Sequence, residues 1–249
     1  MRIVSHSILS LACFFISSNL YSIEIEKGSF DHRIAAGFNV GATMPYSIPD
    51  EIVAVKGWRP QFTPQLGYNI TYNAHERWGL SAGVILNYKG MVVKDRVKYM
   101  HVRVVLSEGQ EPLEGPFVGM NKTEVKAAYV TVPLHVTYRP FKNWCCKFGG
   151  FTSYLFNGSF EGTVSDGYLR VGDPTGEKVV IDETSFNFDD DLRNFDFGIT
   201  LGAERKITDK IAAYLNMDMS LTPIFPSNFK LMEFNMYHLY FTLGVVVKV

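Results

Sequence analysis

Cysteine is scarce in this sequence, which has only three in 249 residues. Cys13 lies in the apolar beginning of the chain, and the other two, Cys145 and Cys146, are adjacent. Adjacent cysteines rarely bridge each other, because a disulfide between them would be strained. No cysteine and histidine spacing matches a zinc site either. A disulfide-stapled fold and a zinc protein are therefore excluded, and no cofactor is predicted.

Two further features are missing, namely an excess of one charge and a long apolar run. The net charge is only −1, so the sequence gives no electrostatic reason to expect a nucleic-acid partner. Beyond the N-terminal segment, no apolar run approaches the ~20 residues that a transmembrane helix needs. The mean hydropathy is nevertheless +0.02, which is high for such a chain. Strands that alternate apolar and polar side chains produce this average.

The N-terminal segment has the composition of a secretory signal peptide. Arg2 precedes an apolar stretch at 8–16, and small and polar residues follow. This order is typical of a cleaved signal, and the apolar stretch is too short to span a membrane in the mature protein. We predict a signal peptide at 1–22 and one mature domain at 23–249. A buried N-terminal helix is the alternative.

What the mature chain has in abundance is alternation of apolar and polar residues. In the clearest case, 193–222, two alternating runs flank a short polar turn. A period of two indicates an extended strand, because successive side chains leave opposite faces. Eight strands are predicted in this way, at 33–43, 62–73, 78–89, 124–139, 147–157, 195–204, 211–222 and 237–249. The pattern at 147–157 is irregular and does not assign its faces.

The connections between these strands are alternately long and short. The long ones, including 44–60, 92–123 and 158–191, are polar or contain proline and are predicted to be loops, although 102–106 could extend a hairpin. About twelve residues at ~3.3 Å each, tilted by ~45°, rise ~28 Å and cross a bilayer core. The predicted fold is all-β, an eight-stranded antiparallel transmembrane up-and-down β-barrel. Its long loops are extracellular, and its short turns and termini are periplasmic.

A soluble eight-stranded barrel such as a lipocalin also alternates, so composition decides between the two. The outward face of a soluble barrel would be rich in Lys and Glu, whereas the polar face of the strands in this sequence is mainly Asn, Thr, Ser, Gly and Tyr. Aromatic residues cluster at the strand ends, as the two interfaces of a bilayer select. The predicted interface residues are Tyr72, Trp78, Tyr138 and Trp144 beside the short turns, and Phe62, Tyr88, Phe195 and Tyr237 beside the long loops. The membrane barrel is favoured.

Two strands also resemble a known family. Residues 127–139, AAYVTVPLHVTYR, and residues 79–90, GLSAGVILNYKG, are similar to successive strands of PorT-like outer-membrane β-barrel proteins. The resemblance implies a small barrel in the outer membrane of a Gram-negative bacterium. Some relatives serve a protein-secretion apparatus and most have no assigned activity, so the fold carries over better than the function. Val249 departs from the terminal aromatic residue common in outer-membrane barrels.

The inward faces of the predicted strands carry charges. Side chains just fill an eight-stranded barrel, so a general porin channel is not expected, and a narrow gated ion path is the alternative. Buried charges need partners, which predicts an internal network of ion pairs and hydrogen bonds. Its predicted members are Arg33, Lys89, His135, Arg139, Asp196, Glu204, Asp218, His238 and Lys248.

The two inward histidines, His135 and His238, lie on strands that are not neighbours in the predicted barrel. Hydrogen-bonded histidines of the barrel interior are the simpler interpretation, and a proton-responsive or lipid-active catalytic pair is the alternative. No serine accompanies a histidine and a carboxylate in a recognisable nucleophile motif. The sequence therefore predicts no enzyme.

Charged residues concentrate in the predicted loops. The third long loop contains Asp182, Glu183 and three consecutive aspartates at 189–191; calcium could bind there, but the spacing matches no EF-hand, so a solvated or lipopolysaccharide-bridging loop is favoured. Loops on a rigid scaffold are where binding usually resides. We therefore expect a structural or partner-binding barrel. Its expected partners are outer-membrane lipid and lipopolysaccharide, with other envelope or secretion proteins as an alternative.

Overall fold

The computed structural model describes residues 27–104, 113–229 and 234–249. The predicted signal peptide at 1–22 lies outside the described residues. No helix in the described part is long and apolar enough to cross a membrane. Ten strands are present: β1 (Phe30–Met44), β2 (Ile52–Pro60), β3 (Pro64–Tyr72), β4 (Trp78–Val104), β5 (Leu113–Phe141), β6 (Trp144–Arg170), β7 (Lys178–Asn187), β8 (Phe195–Lys206), β9 (Ile211–Ser220) and β10 (Tyr237–Lys248).

Eight of these strands form a closed antiparallel ring. Its order is β1, β3, β4, β5, β6, β8, β9 and β10, and β10 pairs with β1 to close it. The predicted eight-stranded all-β barrel is confirmed. The two remaining strands, β2 and β7, pair only with β4 and β6, and they continue β3 and β8 along those two neighbours.

The break between β2 and β3 falls between two prolines. Pro60 is opposite Met91 of β4, whereas β3 resumes its pairing at Gln65. Proline has no N–H to donate, so Pro60 and Pro64 interrupt the ladder of backbone hydrogen bonds. The N–H of Gln61 still donates to the carbonyl of Gly90 at 3.3 Å. The chain therefore keeps its course along β4 across the break.

The break between β7 and β8 has a different cause. A single 3-10 turn, Asp189–Asp191, replaces the strand there. The Asp189 carboxylate accepts a hydrogen bond from the N–H of Phe160 on β6 at 2.6 Å, and the N–H of Phe188 donates to the Phe160 carbonyl at 2.9 Å. These contacts hold the turn against β6, so the path continues into β8.

The prediction that 44–60, 92–123 and 158–191 are loops was wrong for most of these residues. β2 occupies 52–60, β4 continues to Val104, β5 begins at Leu113, and β6 and β7 extend to Arg170 and Asn187. Alternation persists there, with Asp95 and Val97 inward and Lys94, Arg96 and Lys98 outward. The outer surface of these strand segments faces water instead of lipid, so lysine and arginine are tolerated on it. Of the proposed hairpin at 102–106, residues 102–104 belong to β4 and the rest lies outside the described residues.

We call residues 52–60, 91–104, 113–125, 159–170 and 178–187 the extension. Its polarity is the reverse of that in the barrel below. In the barrel the outward side chains are apolar and exposed, for example Phe38, Leu134 and Leu243, while Thr71 and Thr242 are buried inside. The extension instead encloses apolar residues, including Val97, Phe117, Val164, Leu169 and Ile181. The bilayer therefore ends where the extension begins.

β6 shows why its faces were not assignable from the sequence. Phe148 and Tyr154 point outward and are exposed, whereas Phe151 and Ser153 point inward and are buried. An aromatic residue thus lies on each face. Lys147 is also inward, directly before the outward Phe148. Neither face is purely apolar or purely polar, so the alternation is hidden.

The eight predicted interface aromatics lie at the two ends of the barrel. Near the short turns, the Trp78 and Tyr138 rings lie 4.4 Å apart, and Tyr72 contacts Phe30. Trp144 lies at the same end, opposite Phe141. At the other end are Phe62, Tyr88, Phe195 and Tyr237, whose rings contact Phe38, Phe156, Tyr154 and Tyr46 respectively.

Candidate functional site: a filled lumen beneath an apolar cavity

The lumen, the interior of the barrel, contains a charge cluster near the short turns. Glu204 on β8 accepts a hydrogen bond from Arg33 on β1 at 2.7 Å and forms a second ion pair with Lys147 on β6. Arg33 also donates to the hydroxyl of Thr71 at 2.7 Å. Lys147 was not among the predicted network residues, because its strand had no assigned faces. Two cations therefore neutralise one buried carboxylate.

Two other predicted cations lie at the edge of this cluster. Arg139 donates to the side chain of Asn73 at 2.7 Å. The side chain of Lys248 is 54% exposed and pairs with Asp31 at 2.5 Å. The prediction placed Lys248 against the internal carboxylates, but its position near the end of β10 brings it to the barrel mouth. Asp31 was missed because the first strand begins earlier than its alternation indicated.

Amide side chains fill the middle of the lumen. Asn39 donates to Asn87 at 2.7 Å, and Thr242 donates to Asn39 at 2.6 Å. The Tyr214 hydroxyl donates to Gln65 at 2.9 Å. These residues come from five different strands, so their hydrogen bonds cross the barrel interior. The sequence indicated a polar lumen, but not which strands these bonds would join.

Above the amides, Lys89 occupies a nearly closed site. Its ammonium lies 3.2 Å from the Asp196 carboxylate. The rings of Tyr129, Phe151 and Tyr240 surround it, with centroids 5.1, 5.2 and 6.0 Å away. Cation–π attraction operates at such distances. We call these five residues the Lys89 layer, and they fill the lumen where the extension begins.

Hydroxyl groups complete the coordination of the lumen carboxylates. Asp196 accepts from Ser220 at 2.7 Å, and Asp218 accepts from Thr200 at 2.6 Å. Asp218 was expected to face a basic residue, but it forms no ion pair with any described side chain. The cross-strand Thr200, directly opposite it in the β8–β9 register, supplies the donor instead.

The two lumen histidines lie at different levels. His238 is held between the Thr43 hydroxyl, 2.8 Å from Nδ1, and the Tyr129 hydroxyl, 2.9 Å from Nε2. His135 is buried near the short turns, opposite Ser81 on β4, and its Nε2 has no hydrogen-bond partner among the described residues. The structure therefore does not bring the two rings together as a catalytic pair.

The extension encloses an apolar cavity of about 260 Å³ directly above the Lys89 layer. Its walls come from β2, β4, β5, β6 and β7, from the end of β1, and from the segments that follow β1 and precede β10. Residues that share this wall include Ile52, Trp58, Met91, Met100, Phe160, Phe186, Phe188 and Met236. The sequence did not predict this cavity, because most of the residues that line it fall in segments assigned to loops. The methionine and phenylalanine content of those segments was the available signal.

Five polar residues interrupt the apolar wall of the cavity, namely Thr43, Asp95, His101, Asn121 and Thr123. Asp95 on β4 and Asn121 on β5 are directly paired across the two strands, and both line the cavity. They are 5% and 6% exposed. Burial raises the pKa of the Asp95 carboxyl above its usual range, although a hydrogen bond from Asn121 opposes this shift. The buried carboxylate is costly in such surroundings.

The outer wall of the extension carries a group of basic side chains. Lys94 on β4 lies directly opposite Lys122 on β5, and both are exposed. Arg59 and Arg96 are exposed on the same wall, and Lys126, at its lower edge, is exposed and pairs with Glu124 at 2.6 Å. Like charges directly opposite each other destabilise a pair of strands. We call these five residues the basic wall, and it begins just above the ring of Tyr88.

The predicted acidic loop is split between two elements. Asp182 and Glu183 are exposed on β7, whereas 189–191 form the 3-10 turn. No group of three or more histidine, cysteine or acidic side chains that could hold a metal ion occurs in the described ranges. The Asp189 carboxylate is engaged by backbone N–H of Phe160. Its observed contact is thus structural.

Comparisons with known proteins extend these observations. A search of curated proteins found no match. Among solved structures, Ail, the attachment invasion locus protein of Yersinia pestis crystallised with the heparin analogue sucrose octasulfate, is 9% identical (90% of this chain and 100% of that chain covered, TM-score 0.39). OprG from Pseudomonas aeruginosa is 11% identical (90% and 97%, TM-score 0.39). The Escherichia coli outer membrane protease OmpT is 11% identical (92% and 100%, TM-score 0.30).

A family model described as an outer membrane protein beta-barrel domain matches residues 22–226. The match covers most of the chain, including all or part of every strand except β10. The closed ring and its apolar outer face are the structure that such a family requires. This chain therefore belongs to the outer membrane protein β-barrel domain family and is a protein of the outer membrane.

Proposed function

We propose that this protein is a binding barrel that holds a small apolar molecule in the cavity of its extension. The observation that carries the proposal is the cavity itself, enclosed by a strand-built wall outside the bilayer. Pockets for small ligands are mostly apolar, with a few polar groups. Methionine side chains adapt to different ligand shapes, and Met91, Met100 and Met236 line this one.

The lumen supports binding rather than transport. The charge cluster, the amides and the Lys89 layer succeed one another along the barrel axis. Their side chains bond across the interior at 2.6–3.2 Å. A narrow gated ion path, the alternative, would require these bonds to break together. Planar-bilayer recordings that showed steady conductance by the purified protein would support that alternative.

We also propose an orientation for the barrel. The extension lies on the extracellular side, and the short turns and both termini lie in the periplasm of a Gram-negative cell. The short turns at one end and the long strands at the other support this, because outer-membrane barrels carry short periplasmic turns and longer extracellular segments. We also propose that the segment 1–22 is a signal peptide that directs export of the chain to the periplasm. Protease cleavage of the extension on intact cells would test it.

Binding can be tested with the purified protein in lipid nanodiscs. The fluorescent apolar probe N-phenyl-1-naphthylamine should bind in proportion to the protein, above the signal of empty nanodiscs. Val93→Trp fills the cavity, which Val93 lines, and should weaken probe binding about tenfold or more through steric exclusion. Thr163→Trp is the matched control, because Thr163 pairs with the exposed Lys122 on the outer face. Equal binding by both variants would refute the cavity as the site.

A second contact is proposed for the basic wall. Lipopolysaccharide carries phosphate groups at the membrane surface, and each lysine or arginine near an anionic surface contributes about 1 kcal/mol of attraction. The opposed pair Lys94 and Lys122 supports this partner, since a phosphate between them would offset their repulsion. In this proposal lipopolysaccharide surrounds the extension and does not occupy the cavity.

The resemblance to PorT-like proteins favours one more candidate, an accessory role in protein secretion. It rests on residues 79–90 and 127–139, which pair with each other in the barrel wall. This role is tested separately, in cells. Deletion of the gene should block export of specific cargo proteins, and the Val93→Trp protein should restore that export if the barrel alone is needed.

A further inference from the structure

The apolar cavity contains two hydrogen-bond acceptors that nothing in the described residues satisfies. These are one carboxylate oxygen, Oδ1 of Asp95, and the amide oxygen, Oδ1 of Asn121. The two residues are directly opposite each other on β4 and β5. Buried polar atoms in folded proteins are nearly always hydrogen-bonded. An unsatisfied pair on facing residues therefore indicates a missing donor.

The charged groups nearest in sequence do not supply this donor. Lys94 and Arg96 flank Asp95 but point to the outer face of the sheet. The inward neighbours of Asp95, Val93 and Val97, are apolar. Among the described residues that line the cavity, His101 is the only other titratable group, and it is paired with Glu114 at 3.4 Å. The Asp95 carboxylate thus faces the cavity without a counter-charge from the described chain.

The N–H donors of the Asn121 amide are directed at other atoms. Its Nδ2 donates to the Thr123 hydroxyl at 3.1 Å, and a hydrogen bond from the same amide reaches the Asp95 carboxylate. The two atoms left without a partner, Oδ1 of Asp95 and Oδ1 of Asn121, are both acceptors. A ligand that satisfies them must donate hydrogen bonds, and a positive charge on the donor would compensate Asp95.

We propose that the cavity binds an apolar amine, whose ammonium group donates to Asp95 and Asn121 while its hydrocarbon or aromatic body fills the space between Met91, Phe160 and Phe188. The inference rests on the proposed binding function and assigns the chemical class of its ligand. A neutral alcohol can satisfy one acceptor but leaves the charge uncompensated. A carboxylate ligand would repel Asp95.

A matched series of naphthyl compounds tests the ligand class. 1-Naphthylmethylamine, 1-naphthylmethanol and the carboxylate 1-naphthaleneacetate share the naphthylmethyl group and differ in the head group. Each is titrated against bound N-phenyl-1-naphthylamine in nanodiscs of uncharged lipid, with empty nanodiscs to subtract partitioning. The amine should displace the probe at a concentration about tenfold or more below that of the alcohol, since a charge-assisted hydrogen bond is worth roughly twice a neutral one. The carboxylate should be weakest.

Two variants assign the preference to Asp95. Asp95→Asn keeps the shape of the side chain and should reduce the preference for the amine over the alcohol to about twofold or less, because the charge is gone. Asp182→Asn makes the same charge change at an exposed position of β7 and should keep the wild-type preference. Gel migration of unheated samples shows that both variants are folded barrels.

The outcomes separate the two proposals. Equal displacement by amine and alcohol in the wild-type protein, or an unchanged preference in Asp95→Asn, would overturn the amine inference and leave the cavity as a binding site. If the N-phenyl-1-naphthylamine probe itself did not bind, the proposed function would fail together with the inference. An amine preference that disappears only in Asp95→Asn supports both.

Discussion

Arg33 on β1 and Glu204 on β8 are joined by a hydrogen-bonded ion pair of 2.7 Å across the lumen. Two strands, β9 and β10, separate their positions in the ring. Lys147 forms a second ion pair with the same carboxylate from the other side of β8. The three side chains therefore connect distant parts of the barrel through its interior.

Glu204→Gln should destabilise the barrel strongly. The change leaves Arg33 and Lys147 without their shared negative partner in a buried site, and loss of one member of a buried pair costs about 3–5 kcal/mol. Urea titration of the folded fraction in lipid vesicles measures the difference. Asp209→Asn, which removes an exposed ion pair with Lys206 in a short turn, should change stability by less than about 0.5 kcal/mol. Equal effects would show that the lumen pair is not coupled to stability.

Leu215→Arg should destabilise the barrel because Leu215 points outward near the middle of the bilayer. The expected cost is about 2–4 kcal/mol at the midplane, measured by the same urea titration. Val53→Arg is the matched control, since Val53 is similarly exposed but lies on β2 of the extension. A harmless Leu215→Arg would contradict the assignment of this face to lipid.

The double variant Lys94→Gln and Lys122→Gln should bind vesicles that contain lipopolysaccharide less tightly. At about 1 kcal/mol per basic residue near an anionic surface, the loss is roughly tenfold to thirtyfold in affinity. Flotation of the protein in uncharged nanodiscs with such vesicles, at two salt concentrations, measures it. Lys142→Gln with Lys210→Gln makes the same charge change at the short-turn end and should have no effect. A loss insensitive to salt would argue against an electrostatic contact.

Amine binding should weaken at acidic pH. Burial raises the pKa of Asp95, so on acidification this carboxyl takes up its proton earlier than an exposed aspartate and loses the charge that attracts an ammonium group. The affinity for 1-naphthylmethylamine should fall as the pH drops through the raised pKa, while that for 1-naphthylmethanol changes less. Asp95→Asn removes the carboxyl, so the affinity of this variant for 1-naphthylmethylamine should not fall over the same pH range.

The same pKa shift has a consequence for folding. A carboxyl whose pKa is raised in the folded state stabilises the fold most at low pH and opposes it as the pH rises through the folded-state pKa. In the absence of ligand, Asp95→Asn should therefore be more stable than the wild-type protein at neutral pH. The difference should vanish in acid, and the urea midpoint measured at several pH values would show this.

The sequence predicts the membrane-spanning part well because lipid imposes a strict rule on it. Every outward position there must be apolar, as at Leu134 and Leu243, so alternation identifies every strand of the ring and assigns the faces of all of them except β6. In that strand Phe151 faces inward and Phe148 faces outward, so apolar residues lie on both faces and the faces cannot be told apart by polarity. Lys147, a member of the charge cluster, was missed for this reason.

The extension was missed because its strands obey the opposite rule. Lys94, Arg96 and Lys98 made 92–123 look like a charged loop, although they alternate with Val93, Asp95 and Val97. A period of two is present in this segment, but its charged composition is also typical of a loop. The cavity depends on contacts between β4, β5 and β7 that are far apart in sequence, so no local pattern could locate it.

The barrel and the extension differ in one topological respect. The ring in the bilayer has no edge, whereas β2 and β7 each have one side without a paired strand in the described chain. Beside them, Pro45 and Ile48 line the cavity, and Ile224, Phe225 and Phe229 pack in the cluster around Phe160; isolated backbone hydrogen bonds rather than a ladder hold these segments. Segments with so few ladder bonds open at lower free energy than a sheet. One side of the cavity is therefore a hydrogen-bonded sheet, and the other side consists of segments that open at lower free energy. A bound molecule should exchange with the membrane surface through these segments.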